Sequence, residues 1–268
     1  MQNSDLEKVL DRLKRKGFHN LELQELQKVL ENPQWTKRFR QELAADWPDF
    51  QYRAKERLGR HSKTPQVKTG SFGPLLSAAS RGDTYFLTEF LKKHSLKECQ
   101  AAKDDSMKTC LHLAARNGHS EAVKFLCGKS WEVEAKDKLD TTPLHQACER
   151  GHLLVLNALL QAGANPRTKD SLGRNSFLYS ACSHNPELIR EIAKYDQQIV
   201  LEKDHNGRNA LHYAVHNPHS NQVEVLKSIL DSGVPVDLPD NESKTPLHYS
   251  AEAGKLKAIK VLLKFGAN

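Results

Sequence analysis

The sequence predicts an all-α solenoid of about six helix-turn-helix repeats over residues 70–268, preceded by a small N-terminal helical module. Three observations predict it. A four-residue box recurs as Thr109-Cys110-Leu111-His112, Thr142-Pro143-Leu144-His145, Asn209-Ala210-Leu211-His212 and Thr245-Pro246-Leu247-His248, and Asn175-Ser176-Phe177-Leu178 fits the same frame. The apolar third position of the box returns at spacings of 33, 33, 34 and 36 residues. Each box is followed by a small pair, a turn and an apolar run. Self-similarity at such a period marks a stack of supersecondary units, none of which can bury its apolar face alone.

The elements follow in order within each copy. Thr at the start of the box caps exposed amides, and Pro next to it needs no amide partner, so a helix begins there. The box Leu points into the stack. Small pairs such as Ala114-Ala115 and Ala147-Cys148 let helices approach closely. Gly118-His119 and Gly151-His152 end that helix, since Gly accepts a left-handed conformation. A second, apolar helix returns, as in Leu156-Asn157-Ala158-Leu159-Leu160. Lys-Asp closes four copies, at Asp104, Asp137, Asp170 and Asp204. A divergent first copy holds Pro74-Leu75-Leu76, Ala78-Ala79 and Gly82. The copies are 70–104, 105–137, 138–170, 171–204, 205–240 and 241–268.

The period, the T-P-L-H box, the G-H turn and the closing Gly163-Ala164-Asn165 and Gly266-Ala267-Asn268 resemble the ankyrin repeat family over three-quarters of the chain. That resemblance implies helix pairs with β-hairpin tips. It also implies that the box His bridges neighbouring hairpin backbone, and that a partner protein is held in a concave groove lined by tips and inner helices.

Some copies depart from the pattern. The fourth lacks the box His (Leu178), puts His184 where Gly is expected, and has a return loop, 195–200, without Gly. The fifth carries Pro218 at the Gly position and about three extra residues near His219-Ser220-Asn221. These departures read as longer loops, or as a partner contact. The last copy has no polar cap, which points to a tolerated end or to a piece of a longer protein.

Residues 1–58 read as a helical module and 59–73 as a linker rich in Gly, Ser, Thr, Lys and Pro. Ser4 and Glu7 form a capping box ahead of Leu6, Val9, Leu10 and Leu13. Leu23, Leu26, Val29 and Leu30 share one face of a second helix, and Trp35, Phe39 and Leu43 line a third. The two leucine runs resemble the helical heterodimerisation domain of membrane-associated guanylate-kinase scaffolds. Three readings stand for this segment: a heterodimerising hairpin pair, a cap on the first repeat, or another freestanding module. A second partner or dimerisation through 1–58 follows from the first.

The chemistry points away from catalysis. There is no G-x-x-x-x-G-K, G-x-S-x-G or H-E-x-x-H, so no catalytic residue is assigned. Of thirteen histidines, His112, His145, His212 and His248 belong to the box and His119 and His152 to the turn, a spacing set by architecture. His212, His216 and His219 alone have ligand-like spacing, and nothing nearby completes a tetrahedral set. No metal or cofactor is expected. Five cysteines, none in a C-x-x-C pair, argue against a disulfide scaffold and for a reducing compartment, read as cytoplasmic with the nucleus as the alternative. No run approaches the roughly 18 apolar residues of a membrane helix. A net charge of +7, with fifteen basic and ten acidic residues in 1–69, favours acidic partners but not nucleic acid, because aromatics are not interleaved with the basic residues.

Partner contacts are therefore expected at positions matching the variable sites of the resembled family: Lys108, Arg116, Leu139, Arg150, Leu172, Arg174, Arg208, His216 and Lys244. One repeated position reads Lys108, Thr141, Arg174, Arg208, Lys244, a ladder of cations suited to an extended acidic or phosphorylated segment. Leu139 and Leu172 add apolar anchors. The leading function is a non-enzymatic interaction adaptor. The alternative is a regulatory or substrate-recruiting N-terminal part of a longer multidomain enzyme.

Overall fold

The computed structural model describes residues 72–268 except Pro218. The module predicted over 1–58 and all but the end of the linker predicted over 59–73 lie outside the described residues.

Six helix pairs follow one another. They are α1 (Gly73–Arg81) with α2 (Thr84–Lys93), α4 (Cys110–Arg116) with α5 (Ser120–Gly128), and α6 (Pro143–Arg150) with α7 (Leu153–Gln161). Then come α8 (Ser176–Ala181) with α9 (Glu187–Tyr195), α10 (Ala210–Val215) with α11 (Gln222–Asp231), and α12 (Pro246–Glu252) with α13 (Leu256–Lys264). A short α3 (Leu96–Ala101) closes the first pair, and a 3-10 turn (Gln197–Leu201) closes the fourth. The helices form two layers: α1, α4, α6, α8, α10 and α12 stand side by side in one, and α2, α5, α7, α9, α11 and α13 in the other.

The box residues explain the inner layer. Pro143 and Pro246 stand in the first turn of α6 and α12. Leu111, Leu144, Phe177 and Leu211 are 0–1% exposed, which places the third box position in the core throughout these four copies. Each buried large apolar side chain of this kind contributes roughly 1.5–3 kcal/mol. The 3-10 turn accounts for the fourth return loop without glycine. Asp196 accepts the Gln198 N–H at 3.1 Å, and Ile199 and Val200 turn into the core.

The hairpin tips are tight turns, and no regular strand occurs among the described residues. One aspartate organises each tip. Oδ1 of Asp137 accepts from Leu139 N at 2.9 Å and Thr141 N at 3.0 Å. Asp104, Asp170, Asp204 and Asp240 repeat this pair of bonds in their own tips. Tip then joins tip through the backbone: Lys138 N to Ser106 O, Ser171 N to Leu139 O, His205 N to Leu172 O and Asn241 N to Asn206 O, each 3.0 Å.

Two side-chain ladders tie the repeats in opposite senses. The forward ladder uses the box imidazole. Thr142 N–H donates to His145 Nδ1 at 3.0 Å, so Nε2 carries the proton and donates to Arg174 O at 3.2 Å in the next repeat. His112 reaches Thr141 O at 2.9 Å and His212 reaches Lys244 O at 3.1 Å in the same way. The backward ladder uses the turn: His119 Nε2 to Ser80 O at 2.9 Å and His152 Nε2 to Arg116 O at 3.0 Å. Each turn imidazole also lies over the glycine of the preceding turn.

His184 corrects the sequence frame. Counting from the box puts it at the glycine position, but its ring lies over Gly151 as His152 lies over Gly118. Helix α8 ends at Ala181, earlier in its frame than α6, and this shift lets His184 take the role of the turn histidine.

Candidate functional site

The surface built by the tips and the C-terminal ends of the inner helices carries the predicted contact residues. The tip residues come first. Leu172 is 45% exposed at the fourth tip, and Leu139 is half-buried at the third. Met107, which sequence reasoning passed over, is 43% exposed at the second tip. These three apolar side chains stand on consecutive tips held in register by the backbone bonds between them. Arg116 and Arg150 end α4 and α6, half-buried, and His216 follows α10. Burial, aided by Arg208 and Lys255, pushes the His216 imidazole down to about 4, so it is neutral at pH 7.

The cation ladder divides into two kinds of position. Lys108 is half-buried, and Lys244 is partly exposed and pairs with Glu252 at 3.2 Å and Glu242 at 3.7 Å. Arg174 and Arg208 are only 8% and 7% exposed. Arg174 donates from Nε to Asp170 Oδ2 at 2.8 Å and from Nη2 to Tyr179 Oη at 2.6 Å, with its guanidinium 4.5 Å over the Tyr179 ring. Burial alone would raise the Asp170 carboxyl, but Arg174 outweighs it and holds that carboxyl below the ordinary range. Arg208 lies 5.5 Å over the Tyr249 ring and 3.8 Å from Asp240. Both guanidiniums are thus engaged inside the stack, which corrects the picture of two open cations at these positions.

The partners of those arginines form a pattern that sequence reasoning missed. Tyr179, Tyr213 and Tyr249 donate to Oδ2 of Asp170, Asp204 and Asp240, each nine residues back, at 2.8, 2.6 and 2.6 Å. The signal was present: the tip aspartate and a tyrosine nine positions on recur in the last three copies, whereas copies two and three hold Leu113 and Gln146 there. One tip-aspartate oxygen shapes the turn and the other anchors the helix behind it.

The cysteines have no activated character. Burial pushes the Cys110 thiol up to about 12 and the Cys148 thiol higher still. Among the described residues no group of three or more His, Cys, Asp or Glu side chains could hold a metal ion. No helix among them is long and apolar enough to cross a membrane.

Comparison with known proteins agrees with this geometry. The family described as Ankyrin repeats (3 copies) matches residues 75–170 and 177–268. The palmitoyltransferase AKR1 of Lachancea kluyveri is 28% identical over 222 residues, which are 80% of this chain and 30% of that protein. Human inversin is 32% identical over 167 residues, 60% of this chain and 16% of inversin. The chain therefore spans less than a third of the length of either relative. An ankyrin repeat domain from Acinetobacter baumannii superposes with a TM-score of 0.61 at 26% identity, covering 73% of this chain and 98% of that one. The human ASB11 ankyrin repeat domain gives 0.62 at 22% identity, covering 73% and 85%. With a repeating box, a two-layered stack of helix pairs and a family match over most of its length, this chain belongs to the ankyrin repeat family.

Proposed function

We propose that this chain is a non-enzymatic adaptor that holds an extended segment of a partner protein along its tips and inner-helix ends. One observation carries the reading: Met107, Leu139 and Leu172 stand on three consecutive tips whose backbones are bonded side by side. Large apolar side chains on a rigid, repeating edge suit anchoring of a chain that runs across the repeats. Lys108, Arg116, Arg150 and Lys244 supply positive charge along that course, which suits an acidic or phosphorylated stretch. His216 adds a neutral ring. Arg174 and Arg208 set the wall of the groove from inside. Residues 1–58 serve as a second docking or dimerising segment, and the protein acts in the cytoplasm or nucleus.

Affinity capture with the full chain, read by mass spectrometry, tests this. Partners retained by the wild type are expected to fall away with Leu139→Glu/Leu172→Glu, and more weakly with Arg116→Glu/Arg150→Glu. An unchanged partner set in both variants overturns the groove reading.

The palmitoyltransferase match favours a second reading. In that protein a stretch similar to this chain forms 30% of a longer enzyme. On this reading the repeats recruit substrate for an activity that lies elsewhere in the polypeptide. The mass of the endogenous protein separates the two: about 30 kDa supports the free adaptor, and a much larger mass supports the recruiting arm.

A further inference from the structure

The turn inside each early helix pair carries an imidazole that lies over the glycine of the turn before it: His119 over Gly82, His152 over Gly118 and His184 over Gly151. The fourth turn breaks this series, because it holds Ser183 and His184 and no glycine. The fifth turn is the one with Pro218 and the extra residues. There His219 meets an imidazole instead of a glycine. Its ring centroid lies 5.7 Å from that of His184, with the two planes inclined at 70°. His212 and His216, its neighbours in the sequence, turn elsewhere, each 5.5 Å from the Tyr249 ring. His119 and His152 donate from Nε2 to Ser80 O and Arg116 O, whereas among the described residues neither ring nitrogen of His184 has a hydrogen-bond partner. Asn221 closes the group. Its Nδ2 donates to His184 O, and its buried Oδ1 has no partner among the described residues.

We propose that His184 and His219 together hold one divalent metal ion of the zinc class across the seam between the fourth and fifth repeats. The spacing suits it: zinc–nitrogen bonds of about 2.0–2.1 Å at a near-tetrahedral angle put the centroids of two ligating rings roughly 5–6 Å apart. Imidazole nitrogen selects zinc, copper or nickel over calcium and magnesium, whose ligands are oxygens. Two protein ligands leave the remaining positions to water, so the site is open and exchangeable. A metal-bound water is a hydrogen-bond donor, and Asn221 Oδ1 is an unpaired acceptor beside the pair. The position bears on the stack as a whole. Leu178 leaves this seam without the forward imidazole tie, and an ion held by the two turns links the same two repeats.

The test titrates the full chain with zinc chloride at about pH 7.5 by isothermal calorimetry, and measures amide exchange with and without the ion. Expected is a bound ion that depends on both rings. His184→Gln and His219→Gln should each weaken it at least about tenfold, and His205→Gln, at an exposed histidine of the fifth tip, should leave it unchanged. In the wild type, zinc should slow exchange in 182–187 and 216–222, a readout that needs no variant. Lowering the pH to about 5.5 should release the ion, because protons compete for the imidazoles. Wild type that takes up no zinc at millimolar concentration overturns the proposal. So does zinc binding that survives His184→Gln/His219→Gln undiminished, which places the ion elsewhere in the chain.

Discussion

Arg174 donates from Nε to Oδ2 of Asp170 at 2.8 Å, and both side chains are buried. Removing one member of such a pair leaves an uncompensated charge in the interior, which typically costs about 3–5 kcal/mol. Arg174→Ala is therefore expected to lower stability by that order in chemical denaturation. Lys244→Ala removes partly exposed pairs and is expected to cost about 1 kcal/mol or less. Equal effects from the two substitutions would contradict the division of the cation ladder.

Stability should fall on mild acidification. Burial pushes His112 and His145 each down to about 4, against an ordinary value near 6.5. Between those values the unfolded chain binds protons that the folded chain refuses. Stability is therefore full above about pH 6.5 and is lost as pH falls towards 4, by about 2 kcal/mol for each imidazole at pH 5. Urea midpoints measured from pH 7.5 to 5 should show this slope. It should be shallower in His145→Leu, which imitates Leu178 of the fourth copy.

Gly151 tests the backward ladder. It has φ +78°, and a Cβ there would lie 2.5 Å from Cε1 of His184. Gly163 has φ +89° with nothing near its absent Cβ. Gly163→Ala is expected to cost about 1 kcal/mol from backbone strain alone, and Gly151→Ala about 1 kcal/mol more. Adding His184→Ala to Gly151→Ala should recover part of the excess, which a double-mutant cycle in thermal unfolding would read.

The cysteines should report opening of the stack. Cys110 and Cys148 are fully buried, with thiols held far from ionisation at neutral pH. Iodoacetamide at pH 8 is expected to leave both unmodified in the native protein and to label them in urea, as peptide mass spectrometry would show. Rapid native labelling of Cys148 would contradict the packing of α6.

The sequence made the repeat frame legible because a stack has to satisfy the same contacts every 33 or so residues. The third box position, the capping threonines and the box imidazoles all stand where their spacing put them. The site was legible only as a set of surface positions. Arg174 and Arg208 occupy a register shared with Lys108 and Lys244, and register alone does not tell which cations are drawn inward. The side chains around each cation do: Arg174 closes on Asp170 and on Tyr179 of its own copy, Arg208 on Asp240 and Tyr249 of the next, and Lys244, over the same Tyr249 ring, is drawn outward to Glu242 and Glu252. His184 shows the opposite limit. Counting assigned it to glycine's place, and only the shortened α8 reveals that it belongs over Gly151.

Leu178 has a mechanical consequence. The forward imidazole tie joins repeats two to three, three to four and five to six; it is missing between one and two, where Leu76 holds the position, and between four and five. The latter seam is held by apolar packing, by the tip bond from His205 N to Leu172 O, and by side-chain bonds from Asn217 to Ala181 O and Ser183 O, from Asn221 to His184 O and from Gln197 to Ser232 O. Pulled across repeats two to six, the stack should part there first, into a three-repeat and a two-repeat block. The fourth copy is then the spring's weakest coil, and the place where strain from a bound partner would gather.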